Sequence, residues 1–119
     1  MKNILIVDDC KTTRRLINYL MQGCDFNITH AENGLDALEK LARNEIDLVM
    51  TDMNMPQMDG IELIKSMKED SAYREIPIIM LTTESDDEER ERGLKTGASS
   101  YLTKPVSKEV LIEELHKYL

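Results

Sequence analysis

Short, nearly uninterrupted apolar runs alternate along this chain with longer stretches whose apolar residues recur at helical spacing. The clearest runs are Ile4–Val7, Ile46–Met50 and Ile76–Leu81, all rich in β-branched residues. Runs without in-and-out alternation mark strands buried on both faces. Weaker strand signals lie at Asn27–Ala31 and Ser100–Thr103. Between them, Leu16, Ile17, Leu20 and Met21 share a helical face, with Thr12 or Thr13 as the expected N-cap. Ala37, Leu38, Leu41 and Ala42 form a second stripe, Ile61, Ile64 and Met67 a third behind Gly60, and Leu111, Leu115 and Tyr118 a last one behind Ser107. The stretch Asp86–Thr96 is strongly charged, with Leu94 its one clearly apolar residue and Gly97 its stop. It is expected to be a helix only lightly anchored. Strand then helix, repeated five times, predicts an α/β fold: a parallel sheet with helices on both faces, joined by right-handed crossovers.

The 119 residues suit one domain, expected to occupy 1–119, and 41% apolar content is enough for one core. A net charge of −8 sets the chain against phosphate backbones and anionic membranes, so direct nucleic-acid or membrane binding is not expected. No apolar run approaches the ~20 residues that cross a bilayer. The N-terminus shows no signal-peptide pattern, so a cytoplasmic location is expected. Cys10 and Cys24, on a helix, would stand roughly 20 Å apart, too far for a disulfide, and are expected as free thiols.

Ligands of parallel α/β sheets bind outside the carboxyl ends of the strands. Here the first strand runs into Asp8-Asp9, the third into Asp52, the fourth into Thr82 and the fifth into Lys104. Singly, each has an ordinary explanation. Asp8-Asp9 could cap a helix, and Asp52 could begin a turn ahead of Asn54, Pro56 and Gly60. Thr82 could be a core threonine, and Lys104-Pro105 an exposed turn. None of these explains why the polar residues fall at one sheet edge. Carboxylates gathered there repel one another, and one lysine cannot neutralise them. Mg²⁺ can, because it takes carboxylate and carbonyl oxygens while keeping waters. A divalent ion, an ammonium and a hydroxyl together suit a phosphoryl group, and Asp52 is the candidate nucleophile to accept it. His30 and His116 lack metal-ligand spacing. Phosphate-binding glycine loops and the G-x-S-x-G elbow are both missing from the sequence.

Val7-Asp8-Asp9, the stretch Thr51-Asp52-Met53-Asn54-Met55-Pro56-Gln57-Met58-Asp59-Gly60, Thr82-Thr83-Glu84, Gly97-Ala98 and Lys104-Pro105 together resemble the receiver domain of two-component response regulators, most of all its single-domain chemotaxis members. The resemblance runs from about Ile4 to the C-terminus. It implies a flavodoxin-like, doubly wound five-stranded sheet of order 2-1-3-4-5. It implies that Asp52 accepts a phosphoryl group from a sensor histidine kinase, with Mg²⁺ held by Asp8, Asp9, Asp52 and the backbone carbonyl of Asn54. Thr82 and Lys104 would contact the phosphoryl group, and Thr82 and Tyr101 would form the switch. The fourth helix, fifth strand and fifth helix would present the face for a downstream protein, and a phosphatase would be a further partner. The unphosphorylated chain would be a monomer. It would be a signalling protein, catalysing only its own phosphoryl transfer and dephosphorylation.

Asn54 and Glu84 each lie two positions beyond a site residue. Neither is bulky or apolar, so they are expected to admit and orient the water that hydrolyses the acyl phosphate. The Lys104-Pro105 bond is expected to be cis. Val106 stands where many family members carry Phe, and the fourth helix is unusually acidic, so the downstream partner stays open. Two alternatives are a receiver segment of a larger DNA-binding regulator and a Mg²⁺-dependent phosphatase with an aspartyl nucleophile. Against the latter, Asn54 replaces the acid that the Asp-x-Asp pattern needs.

Overall fold

A computed structural model describes residues 1–83 and 86–119. The elements follow in order as β1 (Lys2–Val7), α1 (Lys11–Leu20), β2 (Phe26–Ala31), α2 (Gly34–Arg43), β3 (Leu48–Asp52), α3 (Gly60–Glu69), β4 (Ile78–Thr82), α4 (Asp87–Thr96), β5 (Ser100–Thr103) and α5 (Lys108–Tyr118). The strands form one parallel sheet in the order β2-β1-β3-β4-β5. Among the described residues, no helix is long and apolar enough to cross a membrane.

The apolar runs lack alternation because the two faces of each strand feed two separate cores. Leu5 and Val7 of β1 join Val49, Ile78 and Met80 beneath α2 and α3, where Ala37, Leu41, Leu63, Ile64 and Met67 are buried. Ile4 and Ile6 join Leu48, Met50, Ile79 and Leu81 on the opposite face, closed by Ile17 of α1 and by Leu111 and Leu115 of α5. Each of these valine, leucine, isoleucine and methionine side chains contributes roughly 1.5–3 kcal/mol of transfer free energy.

Several local expectations shift. β3 begins at Leu48 and β4 at Ile78; Ile46 and Ile76 pack against the core from the preceding turns instead. The N-cap of α1 is Cys10, not Thr12 or Thr13, and it makes no side-chain cap bond. The Asp8 carboxylate supplies the turn by accepting the Cys10 N–H at 2.8 Å, which starts the helix two residues early. In α3 the buried stripe is Leu63, Ile64 and Met67, while Ile61 is half-buried. Ala42 of α2 is exposed. The expected caps hold at Ser107, which accepts Val110 N–H, and at Gly97.

The largest difference concerns α4. Leu94, the one clearly apolar residue of this lightly anchored helix, is 42% exposed, and the buried residue is Gly93. A methyl group at Gly93 would overlap the Met80 thioether and come within 3.4 Å of Met53 Cε. The absence of a side chain therefore seats the helix backbone directly on the sheet.

Candidate functional site

Backbone bonds fix the strand ends before any side chain acts. Asp8 N–H donates to the Ala31 carbonyl at 3.0 Å, and Lys104 N–H donates to the Thr82 carbonyl at 2.7 Å. The loop after Asp52 folds back so that Gly60 N–H reaches the Met53 carbonyl at 3.1 Å. A Cβ on Gly60 would stand 2.8 Å from the Asp52 carbonyl oxygen, which accounts for glycine there. Within that loop Gln57 takes φ 67°, and Lys104-Pro105 is cis, as expected.

Asp8, Asp9, Asp52, Thr82 and Lys104 come together at this edge. Asp8 is fully buried, Thr82 is 2% exposed and Asp52 is 9% exposed. Lys104 Nζ donates to Asp52 Oδ1 at 3.1 Å and to Asp8 Oδ2 at 3.2 Å. Asp8, Asp9 and Asp52 each offer a carboxylate oxygen within 4.8 Å of the others. Burial, then the Asp8 charge, pushes the Asp52 carboxyl above its ordinary value, and Lys104 offsets this only in part. Burial alone would lower the Lys104 ammonium, but Asp52 and Asp8 together hold it above its ordinary value. The pair is thus lopsided: the ammonium gains two carboxylates, while Asp52 gains one ammonium and faces another acid. Hard oxygen donors in excess of positive charge fit a divalent cation such as Mg²⁺.

Asn54 is exposed in the loop beside Asp52, and Tyr101, on β5, is 42% exposed. Glu84 lies outside the described residues. Three further residues at this edge escape the sequence reading. Arg14 of α1 donates to the Asp8 carbonyl. Glu89 of α4 has its carboxyl pushed up to about 6, by burial, then by Asp86 and Asp52, with the Asn54 side chain pulling the other way. Arg90 of α4 donates from Nε to Thr82 Oγ1 at 3.0 Å and lies over the Tyr101 ring, 4.9 Å from its centroid. All three sit in helices where a charged residue ordinarily reads as facing solvent.

A single parallel sheet covered by helices on both faces, with acids at the ends of β1 and β3 and a lysine after β5, defines a receiver-type module. The family model described as the response regulator receiver domain matches residues 4–116, and the chain belongs to that family. It is 41% identical over 118 residues to chemotaxis protein CheY1 of Helicobacter pylori, covering 98% of this chain and 95% of that protein. It is 40% identical to the CheY homolog of Campylobacter jejuni, over 98% of this chain and 91% of the other. Among solved structures, chemotaxis protein CheY4 of Vibrio cholerae superposes with a TM-score of 0.92 at 34% identity, covering 100% of this chain and 99% of that one. The chain is accordingly a CheY-like receiver, a phosphorylation-activated signalling domain.

Proposed function

We propose that Asp52 accepts a phosphoryl group from the phosphohistidine of a sensor histidine kinase and that the resulting acyl phosphate switches a protein-binding face. The observation that carries this reading is the Lys104 ammonium bridging Asp8 and Asp52 beside Asp9. An Asp52 carboxylate oxygen attacks the phosphorus, the phosphorus–nitrogen bond breaks, and its electron pair returns to the imidazole. Lys104 already lies against the nucleophile and is placed to pair with the phosphoryl oxygens as the Asp52 charge moves onto them. Asp8, Asp9, Asp52 and the Asn54 carbonyl would hold Mg²⁺, which when bound supplies charge neutralisation for the transferring group.

The Thr82 hydroxyl, at the end of β4, is the donor that would move to the new oxygens. The space it leaves admits Tyr101, and α4 follows. The face that changes is that of α4, β5 and α5. Leu94, Tyr101 and Val110 expose apolar surface there, around an open groove of about 730 Å³. A downstream protein docks on that face, and Thr82→Ala is expected to keep phosphorylation while losing the phosphorylation-dependent gain in docking.

Incubation with a small acyl-phosphate donor and Mg²⁺, followed by intact-mass measurement, tests the acceptor. One added phosphoryl group on the parent and none on Asp52→Asn is the expected result. Equal labelling of both proteins would overturn the assignment.

A further inference from the structure

Arg90 lies mid-way along α4, yet its side chain is only 14% exposed. Its Nε donates to Thr82 Oγ1 at 3.0 Å, and Nη2 donates to the Thr83 carbonyl at 2.6 Å and to Thr103 Oγ1 at 3.4 Å. Nη1 pairs with Asp87 at 2.9 Å, and the plane covers the Tyr101 ring. One guanidinium thus joins the end of β4, the first turn of α4 and two residues of β5. A rigid planar fork with delocalised charge can meet all of these at once, whereas an ammonium cannot.

We propose that Arg90 is a latch that holds the Thr82 hydroxyl and the Tyr101 ring in the unphosphorylated arrangement and thereby sets the threshold for switching. This rests on the reading above that Thr82 and Tyr101 move together when Asp52 is phosphorylated. A Thr82 hydroxyl that turns to the phosphoryl group leaves Arg90 Nε. The guanidinium does not follow freely, because the Thr83 carbonyl and Asp87 keep Nη2 and Nη1. A Tyr101 ring that turns inward leaves the face of the same guanidinium. Both movements break contacts to one side chain, so that side chain couples them and biases the resting population against the switched one. Arg90 is a positioning residue: it acts through Thr82 and Tyr101, and a phosphoryl ligand must overcome its hold before it binds fully.

Arg90→Lys and Arg90→Met test this, since both replacements favour helix and neither offers the fork. The first measurement is titration with beryllofluoride and Mg²⁺, a mimic of the phosphoryl group. Both variants are expected to bind at least about threefold more tightly than the parent, because the switched state is populated more readily. For Arg90→Met, loss of a positive charge near an anion site would act in the opposite direction, so tighter binding cannot come from charge. The second measurement needs no ligand: the accessibility of the Tyr101 ring to a soluble paramagnetic probe, read by NMR on tyrosine-labelled protein. If Arg90 merely covers the ring, its truncation raises accessibility; if it is a latch, the ring turns in and accessibility falls. A rise in accessibility, or unchanged or weaker binding in both variants, overturns the latch. A parent that fails to bind beryllofluoride overturns the phosphoacceptor reading instead, and the Tyr101 measurement still decides the latch.

Discussion

Glu89 shows how the site reaches into α4 one side chain at a time. Its carboxyl is raised from an ordinary 4.5 to about 6, by burial first and then by Asp86 and Asp52. A folded pKa above the unfolded one means that the folded protein binds the proton more tightly. The stabilisation is complete below about 4.5 and is lost as the pH rises through about 6. Urea melts in chelator should show the parent losing more stability than Glu89→Gln between these values. Parallel curves would place Glu89 in ordinary solvent. Asp52 acts with the same sign, so Asp52→Asn should be more stable than the parent at neutral pH and approach it as the pH falls below the carboxylate range. Asn54, two positions on, is exposed, and on the reading above its polar side chain admits water to a phosphoryl group on Asp52. Asn54→Met should therefore slow loss of the phosphoryl group after the donor is removed. Decay at the parent's rate would make Asn54 a bystander.

At the scale of single elements, α4 is the informative one. Glycine-to-alanine within a helix ordinarily stabilises by about 1 kcal/mol. At Gly93 the added methyl meets the buried Met80 side chain, and overpacking of that kind costs about 1–3 kcal/mol. Gly93→Ala should thus lower the urea midpoint, and a raised midpoint would show that the helix lifts off the sheet at little cost. The element also marks where the sequence stops being readable. Strand runs, most caps and the sheet-edge acids were legible, because each follows from local periodicity or from where a parallel sheet places its strand ends. In a stretch as charged as Asp87–Thr96, every position looks solvent-facing. Which of them turns inward depends on Gly93 bringing the backbone close, and on Thr82 and Tyr101 lying beneath; neither leaves a periodic trace. Leu94 misleads for the same reason, being apolar on a face that the close approach of Gly93 turns outward. The start of α1 at Cys10 rather than at Thr12 or Thr13 follows from the carboxylate of Asp8, which both makes the turn into the helix and faces Lys104, so the two readings of Asp8 open in the sequence hold together.

For the whole molecule, the excess of acid over base is concentrated in consequence at one place. A net charge of −8 weakens a fold through self-repulsion, and the closest gathering of acids among the described residues is Asp8, Asp9 and Asp52. Mg²⁺ should raise the melting temperature, because an ion that binds only the folded state stabilises it by mass action. Asp9→Ala should abolish the rise while leaving the Lys104 bridge between Asp8 and Asp52 intact. An unchanged rise in that variant would move the ion elsewhere.

That bridge spans 96 positions of sequence between Asp8 and Lys104. A chain emerging from the ribosome has its acids long before it has its ammonium. Until β5 has docked against β4, there is no counter-charge beside Asp52 and no hydroxyl held in register by the Lys104 amide. If Asp52 is the acceptor, as proposed above, a half-made or partly unfolded molecule is a poor acceptor of the phosphoryl group. A kinase facing a mixed population would then charge the molecules whose sheet is closed as far as β5, and pass over those in which the Lys104 bridge is still unmade.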